Sequence, residues 1–345
     1  MTAIATEPRT DLLTTDLLAT FRQRAAGYDR DNRFFSEDFE DLKRAGYLNM
    51  AVPEEFGGLG YTLDQTARQT RLLAEYAPAT ALAVNMHVYW TGIAADLLRM
   101  GDTSLEWLLR EAGNGEVFAA GHGEVGNDQG VFLSTVRAER VEGGYKFYGH
   151  KIFGSLSPVW TRLGLHGMDT SDPENPKIVH AFMPRDTEGY TIKHTWDVLG
   201  MRATASEDTI LDGAFVPDRY IGRILPAGGA DAFMLGLFAW GLGGFCGVYT
   251  GLAKRAIEIA VETAHKRTSI ALTRSFAYHP EVQHNVSEMT MRFEAMNAQF
   301  ERLVDDWSAG VEYGNEWPLK IVAAKHNIVE GAKDIVDRAM SVSGG

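Results

Sequence analysis

The 345-residue sequence holds a single cysteine, Cys246, so no disulfide can form within it. A disulfide-stapled secreted scaffold is excluded, and a reducing compartment such as the cytoplasm is the expectation. Positive charge is also scarce. Lys and Arg number 33 against 46 Asp and Glu, giving a net charge of −13. General nucleic-acid binding needs a basic face, so no nucleic-acid partner is expected. The start, MTAIATEPRTDLLTTDLL, has no apolar stretch behind a basic one and does not read as a secretory signal. Metal-ligand clusters are missing too. His122-Gly-Glu124 fits the H-x-E of zinc deaminases, but their cysteine pair cannot exist here. His279 and His284 have no further ligand partners, so no metal is expected. Uncharged runs are few, but Phe233 to Ala253 is one, and it is long enough to span a bilayer. It runs straight on into the amphipathic KRAIEIAVETAHKR, where a membrane span would end. A helix buried in a bundle is therefore expected, with no membrane partner.

What is present is ordinary globular material, 45% hydrophobic and 23% charged. Three zones follow one another. From about Thr10 to Asn114 the pattern is helical, with Leu13, Leu17, Phe21 and Ala25 at helical spacing. Ser36 followed by Glu37 and Asp38 predicts a helix start with Ser36 as cap. From about Glu116 to Ile224 strand-like runs alternate with the turn signals EGG and DTEG. From about Gly229 the chain is helical again. Val282, Val286, Met289, Phe293, Met296, Phe300, Leu303 and Trp307 step by four and three, and so do Ile321, Ala324, Ile328, Ala332, Ile335, Ala339 and Val342. With the uncharged helix these make most of a four-helix bundle. The expected class is α+β. It comprises an all-α domain over 1–115, a β-barrel-like domain over 116–225 and a helical bundle over 226–345.

One loop, GHGEVGNDQG (Gly121 to Gly130), begins as G-x-G-x-x-G. A dinucleotide fingerprint must open a helix, whose N-terminus holds the phosphates. Here VFLSTVRAERVEGGYKFYGHKIFGS follows, with a hairpin signal, so strand follows strand. These glycines do not belong to a Rossmann fold.

The order of zones and four local sequences resemble the acyl-CoA dehydrogenases. The local sequences are VPEEFGGLGYT, LGMRATASEDTILDGAFVP (Leu199 to Pro217), GLAKRAIEIAVETAHKR and SVSGG. The resemblance implies that family's fold, with the last bundle helix not reached by Gly345. It implies a flavin, FAD or alternatively FMN, and a homotetramer that holds flavin phosphates across subunit interfaces. The backbone around His122 and Gly123 would then face the flavin ring, where donors suit the charge gained on reduction. Gln129 stands where the family often has a serine. Phe153 would pack on the ring, and the Ser155 hydroxyl would reach the flavin nitrogen. Alternate strand residues point one way, so both could meet one ligand. Arg267, Ser269 and Gln283 match phosphate- and adenosine-contacting positions, and Gly344 and Gly345 match the family's glycine pair.

The implied reaction removes the α-proton of an acyl-CoA with a glutamate while hydride passes to flavin. Electrons would then leave to an electron-transfer partner. One family position for that glutamate carries Gly241 and Leu242, and no acid lies between Asp231 and Glu258. The other position lies beyond Gly345. The catalytic base is therefore unassigned. The alternative is a two-component monooxygenase of the same fold, using oxygen and reduced FMN from a flavin reductase. Ser155 and His87 in VNMHVYW also resemble the dibenzothiophene-type monooxygenases, and His87 would supply a proton. A flavin-binding relative without chemistry is the third reading. The substrate is an acyl-CoA or another small molecule.

Overall fold

The computed structural model describes residues 12–271 and 273–344; Gly345 and residues 1–11 lie outside the described part. Helices α1 (Thr15–Arg30), α2 (Ser36–Arg44), α3 (Leu63–Ala74), α4 (Pro78–Arg99) and α5 (Glu106–Gly113) come first. Nine strands follow: β1 (Phe118–Gly121), β2 (Gly123–Glu124), β3 (Arg137–Val141), β4 (Gly144–Gly154), β5 (Arg162–Asp169), β6 (Lys177–Pro184), β7 (Tyr190–Lys193), β8 (Glu207–Pro217) and β9 (Ile221–Pro226). The chain closes with α6 (Ala232–Lys266), the short pair β10 (Thr268–Ser269) and β11 (Arg274–Ser275), α7 (Pro280–Ser308) and α8 (Trp317–Ser343). Helices, a sheet and helices again are the α+β order the sequence implies.

Two compact units form from interleaved segments. One takes Thr62–Leu82, Gly241–Gly345 and the chain up to Ala25; the other takes Ala26–Tyr61 and Ala83–Trp240. Helices α4 and α6 each begin in one unit and end in the other.

In the helical unit, all seven residues of the α8 stripe are buried. The α7 stripe buries Val282, Met289, Met296, Phe300 and Leu303, while Val286, Phe293 and Trp307 are half-buried. Helix α1 starts only at Thr15, so Leu13 precedes it; Leu18 and Phe21 are its buried residues in this unit. Arg68 and Arg71 of α3 reach α7, with Arg68 2.6 Å from Glu301 and Arg71 2.7 Å from Glu301. Helix α6 packs closely on α3. A Cβ on Gly251 would lie 2.3 Å from the Arg71 carbonyl oxygen, and one on Gly247 2.8 Å from that of Ala67. Backbone cannot yield as a side chain end can, so Gly251→Leu is expected to destabilise by about 1–3 kcal/mol, read by denaturant unfolding.

In the sheet unit the strand order is β7-β8-β4-β3-β5-β6-β9, with β1 parallel to β5 and β2 antiparallel to β4. Strands β7 and β9 are the edges, so the sheet is open rather than closed on itself. The cap of α2 differs from the reading above. Phe35 holds the cap position without a side-chain cap bond, and Ser36 is the first helical residue. Asp38 in the first turn is buried and accepts a hydrogen bond from the Tyr28 hydroxyl at 3.0 Å. The uncharged run of Phe233 to Ala253 lies in α6, long and apolar enough to cross a membrane, but most of that window is buried inside the protein.

Candidate flavin site

The loop from Gly121 to Gly130 lies between strands, and no α-helix opens on its glycines; only a single 3-10 turn, Gly130–Phe132, follows before β3. Gly121 ends β1, and Gly123 and Glu124 pair with Ile152 and Lys151 of β4. The approach is tight: a Cβ on Gly123 would sit 2.7 Å from the Ile152 carbonyl oxygen and 3.2 Å from the Phe153 ring. Glycine at 123 thus lets the loop backbone lie flat against β4, beside Phe153.

Strand β4 breaks its register with β8 between Lys151 and Gly154. Phe153 sits in this bulge with φ of 60°, a left-handed conformation rare for a bulky residue. Its ring is 60% exposed and meets Trp196 edge-on at 5.9 Å. Ser155, two residues on, is buried. The alternation expected of a regular strand therefore fails here: the bulge turns Phe153 outward and leaves Ser155 inside. The Ser155 hydroxyl lies 2.7 Å from that of Ser206, which lies 2.7 Å from that of Thr204. Leu156, Met201 and Ala205 also have positive φ. Four non-glycine residues in left-handed backbone around one place mark a strained segment, and such strain collects at ligand sites. Alongside runs a groove of about 320 Å3 lined by Asn32, Trp196, Arg202, Ala205 and Glu207 among others. An exposed ring, a buried hydroxyl set and a glycine-flattened loop together fit a planar aromatic cofactor.

Behind the loop lies a polar core that the sequence reading did not single out. Glu124 accepts hydrogen bonds from Ser134 Oγ at 2.5 Å, the Thr135 amide at 2.6 Å and Asn127 at 3.0 Å, and it pairs with Lys151 Nζ. Both side chains of the pair are buried. Burial alone would raise the Glu124 carboxyl, but Lys151 and the hydrogen bonds outweigh it and hold it below its ordinary value. Burial lowers the Lys151 ammonium to about 8, against the pull of Glu124. Lys151 Nζ also lies 3.3 Å from His166 Nδ1, and His166 Nε2 donates to the Leu133 carbonyl at 3.2 Å. His180 stacks on His166 at 5.8 Å, and the His122 ring lies 5.5 Å from that of His166. Burial, then neighbouring positive charge, pushes His166 and His122 well below the ordinary histidine range. It takes His180 to about 3. A visible signal existed: β5 and β6 are apolar runs, LGLHGM and IVHAFM, each interrupted by one histidine.

The other sequence-derived residues fall as follows. Gln129 is exposed, with its amide turned to Asp128 at 3.2 Å. His87 is buried, its Nε2 3.0 Å from the Leu48 carbonyl and its Nδ1 accepting from the Phe118 amide at 3.0 Å. Both nitrogens of His87 are taken by backbone, and burial lowers its pKa to about 4. Gly241 lies on α6, and among the described residues nothing comes within 4 Å of a Cβ built there. In the helical unit, Arg267 is exposed and its guanidinium lies over the Phe276 ring at 4.9 Å. Gly344, with φ of 84°, caps α8 in the left-handed region, and a Cβ there would lie 2.7 Å from Arg267 Nη1. Ser269 pairs with Arg274 in the β10–β11 ribbon, and Gln283 Nε2 donates to the Ala277 carbonyl at 3.2 Å. The structure therefore brings Arg267 beside Gly344, at the same turn as Phe276.

The order of helices, sheet and helices, with this loop and bulge, defines a protein class. The family models for the acyl-CoA dehydrogenase N-terminal and C-terminal domains match residues 17–105 and 243–345, together more than half of the chain. The chain belongs to the acyl-CoA dehydrogenase family, whose members are flavin-dependent oxidoreductases. It is 27% identical over 336 residues to YdbM of Bacillus subtilis, named as a candidate acyl-CoA dehydrogenase, covering 94% of this chain and 83% of that one. It is 28% identical over 289 residues to the amino sugar nitrososynthase RubN8 of Streptomyces rubradiris, covering 78% of this chain and 64% of that one. Among solved structures, KijD3 with FMN and dTDP-3-amino-2,3,6-trideoxy-4-keto-3-methyl-D-glucose superposes with a TM-score of 0.83 at 25% identity, covering 99% of this chain and 85% of that one.

Proposed function

We propose that this chain is an FMN-dependent oxygenase, taking reduced flavin from a separate reductase and oxygenating a small polar substrate. The observation that carries this reading is the likeness to a solved structure that holds FMN and an amino sugar; the state of Glu124 agrees with it. The buried carboxylate of the loop is closed off by Lys151, Ser134, Thr135 and Asn127. Abstracting a carbon-bound proton needs a free, positioned base. Glu124 is not free in this way, so it holds the loop rather than taking a proton. The similarity to a nitrososynthase and to a structure holding FMN and an amino sugar supports the same reading.

Bound flavin would supply the two-electron chemistry. The backbone at His122 and Gly123, with Phe153 and Ser155, would hold its ring. Arg267, with Gly344 and the Ser269–Gln283 segment, would meet the phosphate of a flavin on another copy, as a homotetramer requires. Acyl-CoA dehydrogenation with FAD is the second reading, favoured by the similarity to YdbM. It needs a base other than Glu124, since Gly241 and Leu242 carry none. A cytoplasmic setting suits either.

Titration with reduced and oxidised FMN and with FAD tests this reading. Uptake of reduced FMN is expected, and a chain that takes up no reduced FMN overturns it. Arg267→Ala should weaken flavin binding about 10–100-fold, the loss of a charge-assisted contact worth about 1.5–3 kcal/mol. Unchanged affinity would remove Arg267 from the phosphate site.

A further inference from the structure

Strand β3 begins at Arg137, opposite Tyr148 of β4 and Met168 of β5. Its two neighbours run past that point, β4 on to Gly154 and β5 back to Arg162, so no strand lies between them there. The segment from Gly121 to Glu124 crosses this opening. Gly121 pairs with Leu165 of β5, Gly123 and Glu124 pair with Ile152 and Lys151 of β4, and His122 is the residue between the two pairings. Strand β2 has only two residues, too few to hold its place by ladder bonds alone. Side chains join the same two strands. Lys151 Nζ on β4 donates to His166 Nδ1 on β5 at 3.3 Å, and both residues are buried. His166 Nε2 donates to the Leu133 carbonyl at 3.2 Å, which also accepts from Asn127 at 2.9 Å, and Asn127 reaches Glu124 at 3.0 Å. Glu124 closes the ring by pairing with Lys151. The ring needs a neutral His166 with its proton on Nε2, and burial with the nearby Lys151 charge keeps that imidazole neutral.

We propose that Lys151 and His166 are positioning residues: their contact braces β4 against β5 where His122 and Gly123 cross, and so sets how tightly that backbone holds a flavin. Apolar side chains could fill the same space at little cost in stability. They would lack direction, because a hydrogen bond fixes an angle as well as a distance. Backbone donors held in place before a ligand arrives need no ordering when it binds, so the brace is read in affinity. Its consequence for flavin rests on the flavin-enzyme reading, while the brace stands on the contacts themselves.

Two His166 variants test it. His166→Leu removes both hydrogen bonds, whereas His166→Gln can still donate and accept. Amide exchange of the full chain without flavin, read by mass spectrometry over residues 121–124, should quicken about tenfold in His166→Leu and stay near wild type in His166→Gln. Anaerobic titration with reduced FMN should show affinity about tenfold weaker in His166→Leu and near wild type in His166→Gln. The double variant Glu124→Leu with Lys151→Met, which swaps the buried pair for apolar groups, should show both losses. Unchanged exchange in His166→Leu overturns the proposal, and so does faster exchange with unchanged affinity in a chain that binds flavin. If the variants do not fold, 15N-histidine spectra of the wild type at pH 7 decide. A proton on His166 Nε2 is expected, and a proton on Nδ1 would leave Lys151 no acceptor there and overturn the brace. A wild type that takes up no flavin overturns the flavin reading alone, since exchange and the ring spectra are recorded without it.

Discussion

Lys151→Met is expected to destabilise the protein by about 3–5 kcal/mol, because it strands a buried carboxylate. Glu124 and Lys151 are both buried, and no solvent reaches the remaining charge. Ser134, Thr135 and Asn127 would still donate to Glu124, but none carries a compensating charge. The double variant Glu124→Leu with Lys151→Met should recover much of the loss, since a buried pair is often replaced by apolar groups at small cost. Chemical denaturation of the two variants reads both numbers. A Lys151→Met loss near zero would mean that the pair is not formed.

Acid should unfold the protein through its buried histidines. His87 and His180 titrate near 4 and near 3 in the folded chain, from an ordinary value of 6.5. The unfolded chain therefore binds protons below pH 6.5 that the folded chain refuses. Stability falls with falling pH through that window, down to the folded values. For these two groups the loss from pH 7 to pH 5 comes to about 4 kcal/mol. His122 and His166, also lowered, add to it in the same direction. Denaturant midpoints measured at pH 7, 6 and 5 should fall steadily. A flat profile would show these rings charged or exposed in the folded state.

Periodicity made the helical parts legible. The α8 stripe from Ile321 to Val342 reads straight off the sequence and is buried in full, because a two-sided bundle helix shows its core in a four-three rhythm. The Gly121–Gly130 loop was legible for a similar reason, since the strand signals after it left no helix for a phosphate. What was hidden depends on tertiary packing. No sequence rule marks the bulge that exposes Phe153 and buries Ser155, as strand alternation puts both on one face. Nor does any rule pair Glu124 with Lys151, 27 residues apart. His87 reads as a functional histidine by its motif, yet two backbone groups on distant segments claim both its nitrogens. The row of His122, His166 and His180 forms only when β5 and β6 align.

The measurement closest to the central claim is a turnover under 18O2, with reduced FMN supplied by a reductase. The substrates offered would be a panel of dTDP-amino sugars and, in parallel, of acyl-CoAs. The account predicts a product carrying 18O from one of the amino sugars and no conversion of acyl-CoA. Oxygen-independent formation of an enoyl-CoA, with anaerobic bleaching of the bound flavin, would contradict it and restore acyl-CoA dehydrogenation.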